Sequence, residues 1–403
     1  MSRVVFVRLV GFMIIVAQLA VTPLAAQDAT TYAERGPYTV GAMEFLMNAD
    51  SERPVPVTVW YPALSPDGLP EEIMYDTGLR AILPDMPDGM VFFPGSAIAN
   101  AAPDAGNGPY PLVIYSHSNI TSRFFTAYLQ EQLASYGFVV MAAEHIGSAF
   151  IDGIVNPPEA IEPYALAVAY RVQDVAGELD LAAQLAAPGE AFEGMIDMEN
   201  VAIAGWSLGG NTALLLAGAR FDVAAMTEWC QEPGRDEPCR LLDYTAQIAG
   251  ILGFDPDAEG LWPSFADSRI DAVIDMAPGW SMAFGVDGYA AVTVPSMTLM
   301  GTADDPFGTV INAYREVSST DKALVAFEGA GHTIYGNCPQ FWIDGQFPFC
   351  FDAAWDMAAA RTYVKHFATA FLLAELKGDE AARVALAPDA VSFPGITYEA
   401  VGF

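Results

Sequence analysis

Val201-Ala202-Ile203-Ala204-Gly205-Trp206-Ser207-Leu208-Gly209-Gly210 is the stretch that decides the fold. Its first four residues form a short continuous apolar run, the signature of a strand buried on both faces of a parallel sheet. Glycines two positions either side of Ser207 mark a turn too tight for neighbouring side chains, and Asn211-Thr212-Ala213 opens a helix directly after it. Such a turn holds the Ser207 hydroxyl above the sheet edge, at a helix N-terminus. Unpaired N–H groups and the positive end of the helix dipole at that point favour a developing oxyanion. A bare G-x-S-x-G is a weak pattern; its place between a buried strand and a helix gives it content.

The same rhythm extends in both directions. Leu112–Tyr115, Phe138–Ala143, Ala272–Met276, Met297–Met300 and Ala323–Phe327 are further short apolar runs that read as buried strands. Between them lie helical periodicities: Phe124, Phe125, Tyr128, Leu129 and Leu133 on one face, Leu166, Ala169, Val172, Val175 and Leu179 on another, and a final helix from about Ala353 to Leu376. Alternating strands and helices predict an α/β fold with a mostly parallel central sheet and helices on both faces. An antiparallel pair, Tyr38 to Met47 and Val55 to Tyr61, precedes it. Two stretches break the rhythm. Residues 62–110, rich in Pro, Gly and Asp but holding Met90-Val91-Phe92-Phe93, read as a long surface excursion near the active face; residues 221–268 read as an insertion capping the site.

A serine hydroxyl needs a base within hydrogen-bond reach. The chain has four histidines, His117, His145, His332 and His366. With the chain order Ser, acid, His that accompanies this turn, the first two fall out. His366 lies inside the predicted last helix, where a partly exposed surface position is expected. His332, in Gly329-Ala330-Gly331-His332-Thr333 just after a strand, is the candidate base. The acid should follow the preceding strand, in Gly301-Thr302-Ala303-Asp304-Asp305-Pro306. Asp304 fits the usual turn and Asp305 a turn one residue longer; Asp304 is preferred, with Asp305 as a solvated turn residue or helix cap. Two N–H donors are needed for the oxyanion, one from Leu208 and one, by position, from Asn119 in Ser116-His117-Ser118-Asn119. Asn119-Ile120-Thr121 also matches a glycosylation sequon, which a glycan-blocked site argues against.

Bulk properties set the context. Arg3 and Arg8 precede an apolar run from Val10 to Val21 and the small residues before Gln27, which predicts a signal peptide over residues 1–26 and a secreted or periplasmic protein. That run falls short of the roughly 20 residues of a membrane span. Fifty acidic against 17 basic residues give a net charge of −33, which repels nucleic acid and anionic membranes and suits a saline habitat. Cys230, Cys239, Cys338 and Cys350 form two pairs close in sequence, predicting local disulfides 230–239 and 338–350 rather than a zinc site, since no His has ligand spacing from either pair.

Beyond these features, Tyr110-Pro111-Leu112-Val113-Ile114-Tyr115-Ser116-His117, Leu133-Ala134-Ser135-Tyr136-Gly137-Phe138-Val139-Val140, Glu144-His145, Arg171-Val172-Gln173-Asp174-Val175 and Arg269-Ile270-Asp271-Ala272-Val273 resemble the platelet-activating-factor acetylhydrolase family. Bacterial dienelactone-hydrolase-like and polyester-hydrolase-like esterases share the pattern. Gly301–Asp304 and Gly331-His332 complete a match over about residues 110–335, less clear before 110 and in 221–268. The resemblance implies an α/β-hydrolase domain over residues 27–403, hydrolysing carboxylic esters through an acyl-enzyme and without cofactor or metal. His145 matches a family histidine, and its place at a strand end predicts a structural hydrogen bond. One departure is Ser118, where the family has Gly, which bears on the oxyanion donor and acyl pocket. Trp206, Phe92, Phe93 and Trp280 near the predicted mouth point to an apolar substrate: a small-molecule, lipid or polyester ester. Acyl transfer or peptide cleavage on the same three residues, and a catalytically dead binding module, are the competing expectations.

Overall fold

Strand residues here alternate between two apolar layers, which is what fixes the sheet between them. In Leu112–Tyr115, Leu112 and Ile114 face one core while Val113 and Tyr115 face the other; in Val201–Ala204, Val201 and Ile203 oppose Ala202 and Ala204 in the same way. A computed structural model describes residues 30–65, 68–156, 161–255, 260–305 and 308–403; the predicted signal peptide lies outside them. Its strands, in chain order, are β1 (Thr39–Met47), β2 (Val55–Ala63), β3 (Ile73–Asp76), β4 (Phe92–Gly95), β5 (Ile98–Ala99), β6 (Tyr110–Ser116), β7 (Val139–Ala143), β8 (Ile196–Trp206), β9 (Ala272–Met276), β10 (Ser296–Gly301), β11 (Lys322–Phe327) and β12 (Ile396–Val401).

Ten of these form one sheet in the order β12-β11-β10-β9-β8-β6-β7-β2-β1-β5. From β7 to β11 every neighbouring pair is parallel, whereas β1 with β2, β2 with β7 and β11 with β12 are antiparallel. This is the α/β-hydrolase architecture expected from the sequence. Chain order places β7 on one side of β6 and β8 on the other, so a crevice opens between their carboxyl ends, where open α/β sheets bind ligands. The helices Glu162–Leu185, Leu208–Leu216 and Met357–Lys377 cover the faces. Cys230–Cys239 and Cys338–Cys350 are bonded as predicted. Among the described residues no helix is long and apolar enough to cross a membrane.

Three expectations need correction, and one strand lies outside them. Residues 62–110 are not a surface loop: β3 and β4 pair with each other, β5 joins the main sheet beside β1, and Tyr75, Leu79, Val91 and Phe93 are buried. Aromatic stacking explains this, since Tyr75 lies flat on Phe124 at 4.8 Å and Phe93 meets Trp342 edge-on at 5.5 Å. The helix expected from about Ala353 begins at Met357, because Asp356 accepts a hydrogen bond from the Ala359 N–H and caps it there, and it is not the last, since a short helix, Glu380–Ala385, follows it. The edge strand β12 went unread; its residues alternate between half-buried and exposed without a buried run to mark them. His366 is not a surface residue: it is 3% exposed, packed against Tyr32, Phe367 and Phe393. Burial lowers its pKa to about 4, so it is a neutral core imidazole near neutral pH.

Candidate active site

The turn after β8 is as tight as its glycines require. A Cβ on Gly205 would sit 2.1 Å from the Gly209 carbonyl oxygen, and one on Gly209 would sit 1.9 Å from the Ser116 oxygen of neighbouring β6. Ser207 itself takes φ 58° and ψ −119°, a left-handed conformation costly for a residue with a side chain. Its N–H donates to the Met276 carbonyl at 2.8 Å, which ties the strained turn to the end of β9. Strain here is held by close packing with two neighbouring strands.

Asp304 and His332 arrive from the ends of β10 and β11. Their turns are cross-linked: the Ala303 N–H donates to the Ala330 carbonyl at 3.0 Å, and a Cβ on Gly301 would lie 2.4 Å from that same oxygen. The Gly331 N–H donates to the Asp352 carboxylate at 2.7 Å, and the Trp206 indole donates to the His332 carbonyl at 3.1 Å. With its backbone fixed, His332 places Nε2 2.8 Å from the Ser207 Oγ and Nδ1 2.7 Å from the Asp304 Oδ2. Three side chains spread over 126 residues thus form one hydrogen-bonded chain. Asp305 turns away instead, accepting from the N–H groups of Thr309 and Val310 at 2.7 and 3.1 Å; it caps the next turn.

Ser207, Leu208, Asn119, Asp304 and His332 line one open cleft of about 640 Å³. Among the described residues, neither the Asn119 nor the Leu208 N–H has a hydrogen-bond acceptor in the protein. Of the aromatic residues expected at the mouth, Trp280 lines the cleft, Trp206 lies tilted beside the His332 ring at 5.8 Å, and Phe92 and Phe93 are absent from the lining because they sit in β4 of the second sheet, Phe93 in the core and Phe92 half-buried beneath the Arg80 guanidinium. From the 221–268 segment, Pro238 reaches the cleft, which Gly279 and Met282 of the loop after β9 also line. Of that loop, sequence reasoning placed only Trp280 at the mouth. A Cβ on Gly279 would lie 3.4 Å from the Ser207 Oγ, so the bare backbone there keeps space open in front of the hydroxyl.

A second Ser–His–Asp chain lies underneath. Ser116 Oγ contacts His145 Nε2 at 2.9 Å, and His145 Nδ1 contacts the Asp174 Oδ2 at 2.9 Å. Ser116 is fully buried, and the Arg171 guanidinium donates to its Oγ at 3.1 Å, so this hydroxyl faces no substrate. Burial lowers the His145 pKa to about 4. The predicted structural role of His145 therefore matches its surroundings.

The comparisons with known proteins add family and fold. Residues 24–175 match the family described as platelet-activating factor acetylhydrolase, isoform II. That match reaches into the region before 110, which the motifs had left out, and stops short of Ser207. No sequence among curated proteins matches the chain. The ferulic acid esterase from Streptomyces cinnamoneus is similar in structure, with TM-score 0.58 and 20% identity, over 91% of this chain and 97% of that one. Matches to 428 solved chains make the fold too widespread to name a substrate. In fold the chain is an α/β-hydrolase, and over residues 24–175 it resembles the platelet-activating-factor acetylhydrolases.

Proposed function

We propose that the protein is a serine hydrolase that cleaves carboxylic esters, with Ser207 as nucleophile, His332 as base and Asp304 as acid. The hydrogen-bonded chain from Ser207 through His332 to Asp304, opening onto a cleft, carries this reading. His332 Nε2 takes the Ser207 proton as Oγ attacks the ester carbonyl, and returns it to the leaving alcohol. Asp304 holds Nδ1–H, which keeps Nε2 free to accept and stabilises the imidazolium. The N–H groups of Leu208 and Asn119 receive the oxyanion. Water then releases the acid by the same steps.

The family match and the esterase similar in fold support an ester as substrate class. Two carboxylates, Asp304 and Asp305, line the cleft, and no Lys or Arg does so among the described residues. The proposed substrate is therefore an uncharged ester bound against an apolar wall that includes Trp280 and Met282, with the 221–268 segment as a partial cap. The basic and apolar start of the chain and its two disulfides support export. A fluorophosphonate probe tests the nucleophile. It is expected to label the wild type at Ser207 and nowhere else, and the Ser207→Ala variant, still folded, to release no p-nitrophenol from short acyl esters. Labelling at Ser116, or activity in Ser207→Ala, overturns the proposal.

A further inference from the structure

The loop that carries Asn119 is held from below by an unusually dense set of donors. The Ser118 carbonyl accepts three hydrogen bonds: from Thr121 Oγ1 at 2.9 Å, from the Arg171 guanidinium at 3.2 Å and from His117 Nδ1 at 2.7 Å. The His117 assignment follows from its other nitrogen. The His145 backbone N–H donates to His117 Nε2 at 3.0 Å, so Nε2 is an acceptor and the proton of the neutral ring sits on Nδ1. Arg171 also donates to the His117 carbonyl and to the hydroxyls of Ser116 and Ser148. The Ile120 N–H donates to the Ser148 carbonyl at 2.7 Å, at a left-handed φ of 47°.

In a trans peptide the C=O and the following N–H point in opposite directions. Pinning the Ser118 oxygen into the buried layer therefore turns the Asn119 N–H the other way, toward the cleft that Asn119 lines with Ser207 and Leu208. Left alone, this peptide is free to flip, and a flipped peptide would present a carbonyl oxygen to the oxyanion. We infer that Arg171, His117 and Thr121 are positioning residues that preset the 118–119 peptide so that its N–H faces the oxyanion. This rests on the reading of Ser207 as nucleophile. Arg171 lies at the first position of an R-x-x-D stretch whose Asp174 holds His145 and, through a further ion pair, Arg53. The Ser116–His145–Asp174 chain is thus the strut beneath the loop. The Arg171 side chain is fully buried, so it is the same hydrogen bonds, and not solvent, that satisfy its donors.

Two variants, Thr121→Val and Arg171→Lys, test the inference, with kcat and KM on a p-nitrophenyl ester and affinity for an alkyl boronic acid, which forms a tetrahedral adduct with Ser207. Loss of one hydroxyl donor in Thr121→Val is expected to lower kcat by about 2- to 10-fold with KM unchanged. Replacing the forked guanidinium in Arg171→Lys is expected to lower it by about 10- to 100-fold, short of the loss of an entire oxyanion donor. Boronate affinity should fall by the same factor as kcat in each, while binding of a ketone-free substrate analogue stays constant. A purely structural role would lower thermal stability and leave the ratio of boronate to substrate affinity untouched, and that outcome overturns the inference. If Arg171→Lys does not fold, Thr121→Val decides alone. If the wild type binds no boronate at position 207, the nucleophile assignment fails first; if it does and both variants behave like it, only the positioning claim falls.

Discussion

Exchanging the adjacent carboxylates one at a time tests the proposed acid, Asp304, against its neighbour Asp305, which holds a turn. In Asp304→Asn the amide replaces the anion that lies 2.7 Å from His332 Nδ1. Two unit charges at that separation attract by about 6 kcal/mol at an effective permittivity of 20. His332 is 36% exposed at its side chain, so solvent screening removes part of this. A remaining 4–5 kcal/mol corresponds to a loss of about 10³- to 10⁴-fold in kcat. The amide also offers an N–H toward Nδ1, which favours the tautomer with its proton on Nε2, the wrong one for accepting from Ser207. Asp305→Asn keeps that chain intact. It weakens the hydrogen bonds from Thr309 and Val310, a loss of about 1 kcal/mol that lowers Tm by about 1–3 °C. Steady-state kinetics on a p-nitrophenyl ester and a thermal melt are run on both variants. The expected pattern is a crossed one: Asp304→Asn loses turnover and keeps Tm, while Asp305→Asn keeps turnover within a few-fold and melts earlier. Equal losses of kcat in the two variants, or an Asp304→Asn enzyme within tenfold of wild type, would refute the reasoning.

Asp275 on β9 is fully buried, with one carboxylate oxygen unpartnered, and burial raises its pKa to about 7 against a weaker opposing hydrogen bond from Thr298. A carboxyl with a raised folded-state pKa contributes stability below its ordinary pKa near 4 and loses it as pH rises toward 7. Asp275→Asn should therefore gain on wild type over that window, by up to about 1.4 kcal/mol per pH unit, and level off above it; a urea-derived difference equal at pH 5 and pH 8 would contradict this. For substrate charge, p-nitrophenyl butyrate is compared with the mono-p-nitrophenyl ester of succinate. Two cleft carboxylates, each opposing an anion by about 1 kcal/mol, should lower kcat/KM for the succinate ester by about tenfold or more, and added salt should narrow the gap. Equal rates for the two esters at low salt would remove the charge argument.

Most of the parallel sheet was legible because its strands are buried on both sides and leave continuous apolar runs, as in Val201–Ala204 and Ala323–Phe327. The elbow at Ser207 was legible because sterics at a close crossing of backbones admit only glycine, and a glycine pair at fixed offsets is a local signal. By contrast β12 alternates between half-buried and exposed residues with no such run, and the short apolar run entering β4 lies in a stretch rich in Pro, Gly and Asp that hid its pairing with β3. Arg171 could have been noticed: Val168, Arg171, Val175, Glu178 and Ala182 share one face of the helix Glu162–Leu185, and two charged residues on an otherwise apolar stripe signal a buried network. His366 could not, since whether a helix face is covered depends on the segment around Tyr32 and Phe393, far away in the chain.

The sequence by itself determined which residues are candidates for chemistry, because chain order and local turn sterics restrict a candidate nucleophile, base and acid to a few positions. Only the tertiary structure shows which of the two adjacent carboxylates reaches an imidazole: Asp304 meets His332, and Asp305 takes a capping role. It likewise shows which donors hold the Ser118 carbonyl. Besides local partners, these arrangements depend on His332 after β11 and Arg171 on the helix Glu162–Leu185, which lie far from Asp304 and Ser118 in the chain.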